Sequence, residues 1–125
     1  MALDFSDNKS IFLQIAEMIE NDILRGILQE DEQVLSTNEI AKLYNINPNT
    51  ALKGISVLFT DDILYKKRGV GMFVASGAKE KILNKRKKEF FDEYVQPMIR
   101  EAKAIGITKN ELLKLIIDTE ENENI

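Results

Sequence analysis

The run Ile46-Asn47-Pro48-Asn49-Thr50, followed by Lys53, gathers side chains suited to reading polar edges. The carboxamide of an Asn can pair bidentately with an adenine, and a Thr can meet a thymine methyl or a phosphate. An ammonium such as that of Lys53 can reach a guanine or a phosphate. A second cluster, Lys66-Lys67-Arg68-Gly69-Val70-Gly71, sets three consecutive basic residues against two glycines. Such a basic turn can enter a minor groove or touch its phosphates. A third feature is Ser36, three residues ahead of Glu39. Ser at the N-cap with Glu at N3 opens a helix, and the backbone N–H groups of a helix start are aimed at anions.

Other chemistries are excluded by composition. The 125 residues contain no Cys and no His. That removes disulfides, thiolate nucleophiles, Cys/His zinc sites and imidazole general bases. No Ser-Lys arrangement has a supporting motif, so no enzyme activity, metal or cofactor is expected. No apolar run approaches the roughly 20 residues that span a bilayer, and the N-terminus lacks a basic-then-apolar signal pattern. The expectation is a cytoplasmic protein with no membrane partner.

The formal net charge is −4, which for a nucleic-acid binder is on the wrong side of zero. Its distribution matters more than its total. Residues 1–39 hold two basic residues against nine acidic ones, and residues 89–125 hold four against nine. Between them, residues 40–88 are net +8. A chain that is acidic overall can therefore present a basic face.

These residues need elements to position them. Phe12, Ile15, Ile19 and Ile23 recur at helical spacing over residues 10–25, with Glu17, Glu20 and Asp22 off the stripe and Gly26 following as a C′ residue. A short acidic loop from Gln29 to Gln33 leads to the Ser36/Glu39 capping box, with Leu35 and Ile40 as its hydrophobic staple. Asn45 ends that second helix after Tyr44. A third helix starts with Asn47 as N-cap and Pro48 at N1, and Ala51, Ile55, Leu58 and Phe59 are its expected buried stripe. Two short helices joined by so short a turn fit a helix-turn-helix or an ordinary helical hairpin. Ile63-Leu64-Tyr65 and Met72-Phe73-Val74 flank the basic glycine turn as a β-hairpin. A basic hairpin directly after the helices favours the helix-turn-helix, with the hairpin as its wing.

Beyond Gly77 the composition changes. Residues 79–105 carry strong helix formers with apolar positions at Leu83, Phe90, Phe91, Tyr94, Met98 and Ala102, and Pro97 is expected to kink or split them. Gly106 ends this stretch. Thr108 and Glu111 form a second capping box, stapled by Ile107 and Leu112, that opens a helix through about Asp118, with Glu120 to Ile125 expected to fray. Two such helices cannot bury Phe90, Phe91, Tyr94, Met98, Leu112, Leu113 and Ile116 against each other. With Leu83, these residues are the expected dimer interface.

Residues 10–75 resemble the winged helix-turn-helix domain of the GntR family of bacterial transcription regulators. The resemblance rests on Ile11-Phe12-Leu13-Gln14-Ile15, on Leu35-Ser36 with Glu39-Ile40-Ala41, and on Arg68-Gly69-Val70-Gly71-Met72-Phe73-Val74. Ile46-Asn47-Pro48-Asn49-Thr50 with Lys53, and a tail of only two helices, are similar to the YtrA subfamily. The resemblance implies a dimeric DNA-binding repressor, often of transport or cell-envelope genes. Together with the residue chemistry above, the expected DNA contacts are Ser36, Asn38, Asn47, Asn49, Thr50, Lys53, Lys67, Arg68, Gly69 and Gly71. Three departures bear on the half-site rather than on the fold. Asn38 replaces a family arginine, Met72 replaces a threonine in the wing, and Gly54-Ile55 replaces Ala-Tyr or Ala-Leu.

The expected fold is mainly α with a small β-hairpin wing. Residues 1–77 form the DNA-binding domain and residues 78–125 the helical dimerisation tail. The expected partners are double-stranded DNA and a second copy of the chain, with a dimer cleft leaving room for a small-molecule effector. The alternative is a winged-helix protein–protein adaptor that no longer reads DNA.

Overall fold

A computed structural model describes residues 3–5 and 9–123. The elements run α1 (Ile11–Leu24), α2 (Thr37–Tyr44), α3 (Pro48–Thr60), β1 (Leu64–Lys67), β2 (Gly71–Val74), α4 (Ala78–Phe90), a π-helical turn (Phe91–Val95), α5 (Gln96–Ala104) and α6 (Lys109–Glu123). The chain forms two compact units that meet in sequence between Asn84 and Lys85. This shifts the division seven residues past the Gly77 expected from composition. The physical reason is that Ala78 and Ile82, in the first turns of α4, are fully buried in the first unit's core.

That core joins Ile15, Ile19 and Ile23 of α1, Ile40 of α2, Ile55 and Leu58 of α3, and Ile63, Leu64 and Val74 of the hairpin. The helix boundaries follow local chemistry. Gly26 closes α1 at φ +77°, and Asn45 ends α2 in the left-handed region at φ 52°. The stripe of α3 differs from expectation at two positions. Phe59 is 49% exposed, and Gly54 takes its place on the buried face. A Cβ at residue 54 would stand 2.8 Å from the Phe12 carbonyl oxygen and 2.9 Å from Ile15 Cβ, so glycine here is what lets α3 cross close to α1. Glu20, off the apolar stripe by spacing, is also buried, at 2% exposure. In the expected Leu35–Ile40 staple only Ile40 is buried.

The two strands are antiparallel and pair Leu64 with Val74, Tyr65 with Phe73, Lys66 with Met72 and Lys67 with Gly71. The segment expected to be an acidic loop adds a third chain to this hairpin. The Asp31 N–H donates to the Val74 carbonyl at 2.8 Å, the Val74 N–H to the Glu32 carbonyl at 3.0 Å, and the Val34 N–H to the Met72 carbonyl at 2.9 Å. Pairing over so few residues leaves no alternating pattern to read.

In the second unit, the helix does not split at Pro97. The ring of a helical proline clashes with the carbonyl four residues back and offers no N–H. Here the turn before it widens into a π-helix, with the Gln96 N–H donating to the Phe91 carbonyl five residues back. The Thr108/Glu111 capping box forms as expected, with the Glu111 N–H donating to Thr108 Oγ1 at 3.1 Å. Helix α6 then continues to Glu123, so residues 120–123 are helical rather than frayed, and residues 124–125 lie outside the described residues. In this unit only Ala102 is a buried hydrophobic among the described residues, while Phe90, Phe91, Tyr94, Met98, Leu113 and Ile116 are exposed. Among the described residues no helix is long and apolar enough to cross a membrane.

Candidate nucleic-acid interface

The start of α3 is set by Asn47 and Pro48. Asn47 Oδ1 accepts the Asn49 N–H at 2.8 Å, while Pro48 fills the first helical position, where its missing N–H costs nothing. One face of the Asn47 carboxamide is thus spent on capping, which leaves its NH2 group for any external contact. Asn49 and Lys53 are both exposed and stand four residues apart, so they share one helix face, and Thr50 is half-buried beside them. Ser56, three residues beyond Lys53 and exposed, continues that face. A serine in mid-helix carries no distinctive signal in the sequence.

At α2 the capping box is complete. The Ser36 hydroxyl accepts the Glu39 N–H at 3.1 Å, and the Glu39 carboxylate accepts the Ser36 N–H at 2.9 Å. These bonds, the backbone one first, hold the Glu39 carboxyl below the usual carboxylate range. They also bear on anion binding. An approaching phosphate finds the Ser36 N–H already engaged by a carboxylate, so the first-turn donors left to it are those of Thr37 and Asn38.

The wing is stiffer than its glycines suggest. The Val70 N–H donates to the Lys67 carbonyl at 3.0 Å, closing a turn whose third residue, Gly69, has φ +78°. Only glycine reaches that region without cost. Gly71 has φ +145°, and a Cβ there would fall 2.6 Å from Gln33 Nε2. Gln33 Nε2 donates to the Val70 carbonyl at 3.0 Å and so ties the turn to the third chain of the sheet. This contact joins residues 37 apart, and no local pattern announces it.

Lys67 and Arg68 differ in their surroundings. The Lys67 ammonium lies 4.4 Å from the centroid of the Phe73 ring, which itself stacks on Tyr65 at 5.7 Å. The Tyr65 hydroxyl donates to Asp31 at 2.8 Å, and this bond to a carboxylate pushes its pKa up. Lys67 is therefore half-engaged by a cation–π contact worth ~0.5–1 kcal/mol at an exposed site. Arg68, at the turn, is exposed.

Asn49, Thr50, Lys53, Ser36, Asn38, Lys67 and Arg68 all lie in the first unit, and the dimer-interface candidates from Phe90 to Ile116 lie in the second. Leu83, assigned to the interface with them, falls in the first unit, half-exposed on α4. In the second unit Val95, Met98, Ile99, Leu112, Leu113 and Ile116 line an apolar groove of about 430 Å3.

No protein-family model matches the chain. Known proteins are similar to it over most of its length. The HTH-type transcriptional regulator YhcF of Bacillus subtilis is 31% identical over 110 residues, which are 88% of this chain and 89% of that protein. The HTH-type transcriptional repressor YtrA of Bacillus subtilis is 26% identical over 110 residues, 88% of this chain and 84% of that protein. The crystal structure of a putative transcriptional regulator of the GntR family from Bacteroides thetaiotaomicron superposes with a TM-score of 0.77 at 36% identity, covering 91% of this chain and 99% of that one. The DNA-binding domain of AraR, solved in complex with operator ORX1, is 27% identical with a TM-score of 0.51 and covers 60% of this chain and 99% of that one. The helix-turn-helix, the glycine-turned wing and this likeness over nearly the full length agree: the chain belongs to the GntR family of winged helix-turn-helix transcription regulators.

Proposed function

We propose that the protein is a cytoplasmic, homodimeric repressor that binds an inverted repeat, of the kind that controls transport or envelope genes. The observation that carries this reading is the start of α3. A side-chain cap and Pro48 hold the helix, and they leave Asn49 and Lys53 exposed on one face. In a helix-turn-helix, the N-terminal residues of the second helix contact base edges in the major groove. Asn49, Thr50 and Lys53 take that role here. Arg68 and Lys67, with Gly69 and Gly71 shaping the turn, supply wing contacts, and the first turn of α2 at Ser36 and Asn38 meets a phosphate. The operator complex of the AraR domain supports DNA as the partner.

The surface of the second unit supports dimerisation there. Phe90, Phe91, Tyr94, Leu113 and Ile116 are left open there, and contiguous exposed apolar surface of this kind marks an interaction site. A two-fold contact buries the same patch on both copies and presents two recognition helices to two half-sites. A competing reading, a protein–protein adaptor on the same fold, draws on the net charge of −4 and on Leu52 and Phe59, both half exposed on α3. Selecting bound sequences from a random duplex pool and titrating the winner with salt separates the two. A regulator enriches an inverted repeat and loses affinity steeply with salt, because salt opposes counterion release. An adaptor enriches nothing.

A further inference from the structure

The first unit holds a cavity of about 200 Å3 between α1, α2 and the segment 28–35, which none of the DNA-reading residues lines. Its lining is mostly apolar: the enclosed Ile15, Ile19, Val34 and Ile40 form the floor, and the half-buried Met18 and Leu28 with the exposed Leu35 form the walls. Asp22 is the one charged residue in the lining, and its carboxylate has no hydrogen-bond or ion-pair partner among the described residues. Tyr44 and Gln33 complete the rim. An apolar wall with a single unpaired carboxylate is the chemistry of a site for an organic cation.

We propose that this cavity binds a small organic cation with a compact apolar body, such as an arylalkyl primary amine. The ammonium would sit at Asp22 and the ring against Met18, Leu28 and Leu35. Size supports this class, since an apolar cavity of ~150 Å3 is enough for benzene. The volume here takes one ring with a short arm and excludes a nucleotide. Charge supports it too. Residues 1–39, which supply most of the lining, hold nine acidic residues against two basic ones, a field that draws cations and repels anions.

The site has two lines to the DNA-facing parts. Gln33 lines the cavity and also donates to the Val70 carbonyl in the wing turn. Tyr44 is the last residue of α2, directly before the Asn45 turn into α3. An occupant would therefore bear on the wing and on the helix-turn-helix together. That regulatory consequence rests on the DNA-binding reading above, whereas the binding itself does not.

The test uses the full-length, 15N-labelled chain titrated with benzylamine and, separately, with neutral benzyl alcohol. Saturable amide shifts are expected for the amine at Asp22, Leu28, Gln33 and Tyr44, extending to Val70 and Gly71. The alcohol should bind at least about tenfold more weakly. Asp22→Asn should reduce amine affinity by a similar factor, with Asp22→Ser as a second variant should the first perturb the end of α1. In Gln33→Ala, at amine concentrations that still saturate the remaining cavity residues, the shifts at Val70 and Gly71 should be lost. Equal binding of amine and alcohol, shifts scattered over the acidic surface, or no saturation would each overturn the proposal. Shifts at Val70 and Gly71 that persist in Gln33→Ala would overturn the link to the wing. No arm contains DNA, so a failure here is distinct from a failure to read an operator.

Discussion

The two units of this chain solve the burial problem in opposite ways. The winged unit closes on itself, with Ile15, Leu58, Ile63, Leu64, Val74 and Ile82 fully enclosed, and a glycine at residue 54 where helices cross too closely for any side chain. The tail unit turns its large side chains outward, Tyr94 being 64% exposed and Leu113 47%. Residues of the same chemical type thus carry different information in the two places. In the first they specify a monomer's core. In the second they stay open on the single chain, Met98, Leu112 and Ile116 line a groove there, and the proposed dimer would cover them.

The contrast breaks most visibly at the tail. Replacing Leu113 and Ile116 together with Glu should convert a dimer into a folded monomer in sedimentation and weaken operator binding by about a thousandfold, ~4 kcal/mol, by removing the second half-site from the same complex. A variant that stays dimeric would move the interface elsewhere. The next effect sharpens the comparison through stability. Leu58→Ala removes a fully enclosed side chain and should cost ~2–5 kcal/mol in denaturant unfolding at any protein concentration. Met98→Ala should cost little in a monomeric background and show its effect only where stability depends on concentration.

Within the winged unit the expected effects are smaller and divide by role. Asn49→Ala should cost ~1–3 kcal/mol on the selected site and relax one base position, as read by anisotropy on single-substituted duplexes. Equal losses on cognate and random DNA would make Asn49 a positioning residue. Arg68→Ala should lower the slope of log affinity against log salt by about one unit. Adding Lys67→Ala should remove up to about one more, and less where the contact with Phe73 holds that ammonium back. The smallest effect concerns pH. The folded state holds the Glu39 carboxyl below its ordinary unfolded value, so its contribution to stability is present above that value and lost as pH falls through the lower, folded one. Glu39→Gln should flatten this part of the acid limb of the unfolding curve, and an unchanged limb would show that the box does not persist in solution.

Much of the winged unit was legible in the residues because its determinants are local. The Ser36/Glu39 box, the Asn47 cap with Pro48, the left-handed stop at Asn45 and the glycines of the wing each act within about four positions. Local hydrogen bonding and steric limits on φ decide such features wherever the chain goes. The candidate base-reading residues follow directly, since a capped helix start determines which side chains stand in its first turns.

What tertiary structure alone decided lies in contacts between distant positions. Gly54 reads as a weak helix residue until Ile15 is seen against it, and Phe59 reads as core until Gly54 takes the buried face. The segment 31–34 reads as loop until β2 offers it unpaired backbone groups. Gln33 carries no signal of its own, yet it supports the wing across 37 positions. Ala78 and Ile82 look like the start of a tail and prove to be the last pieces of the first core. The common physical reason is that burial and long-range pairing are properties of which surfaces meet, and sequence spacing records only which surfaces each element has to offer.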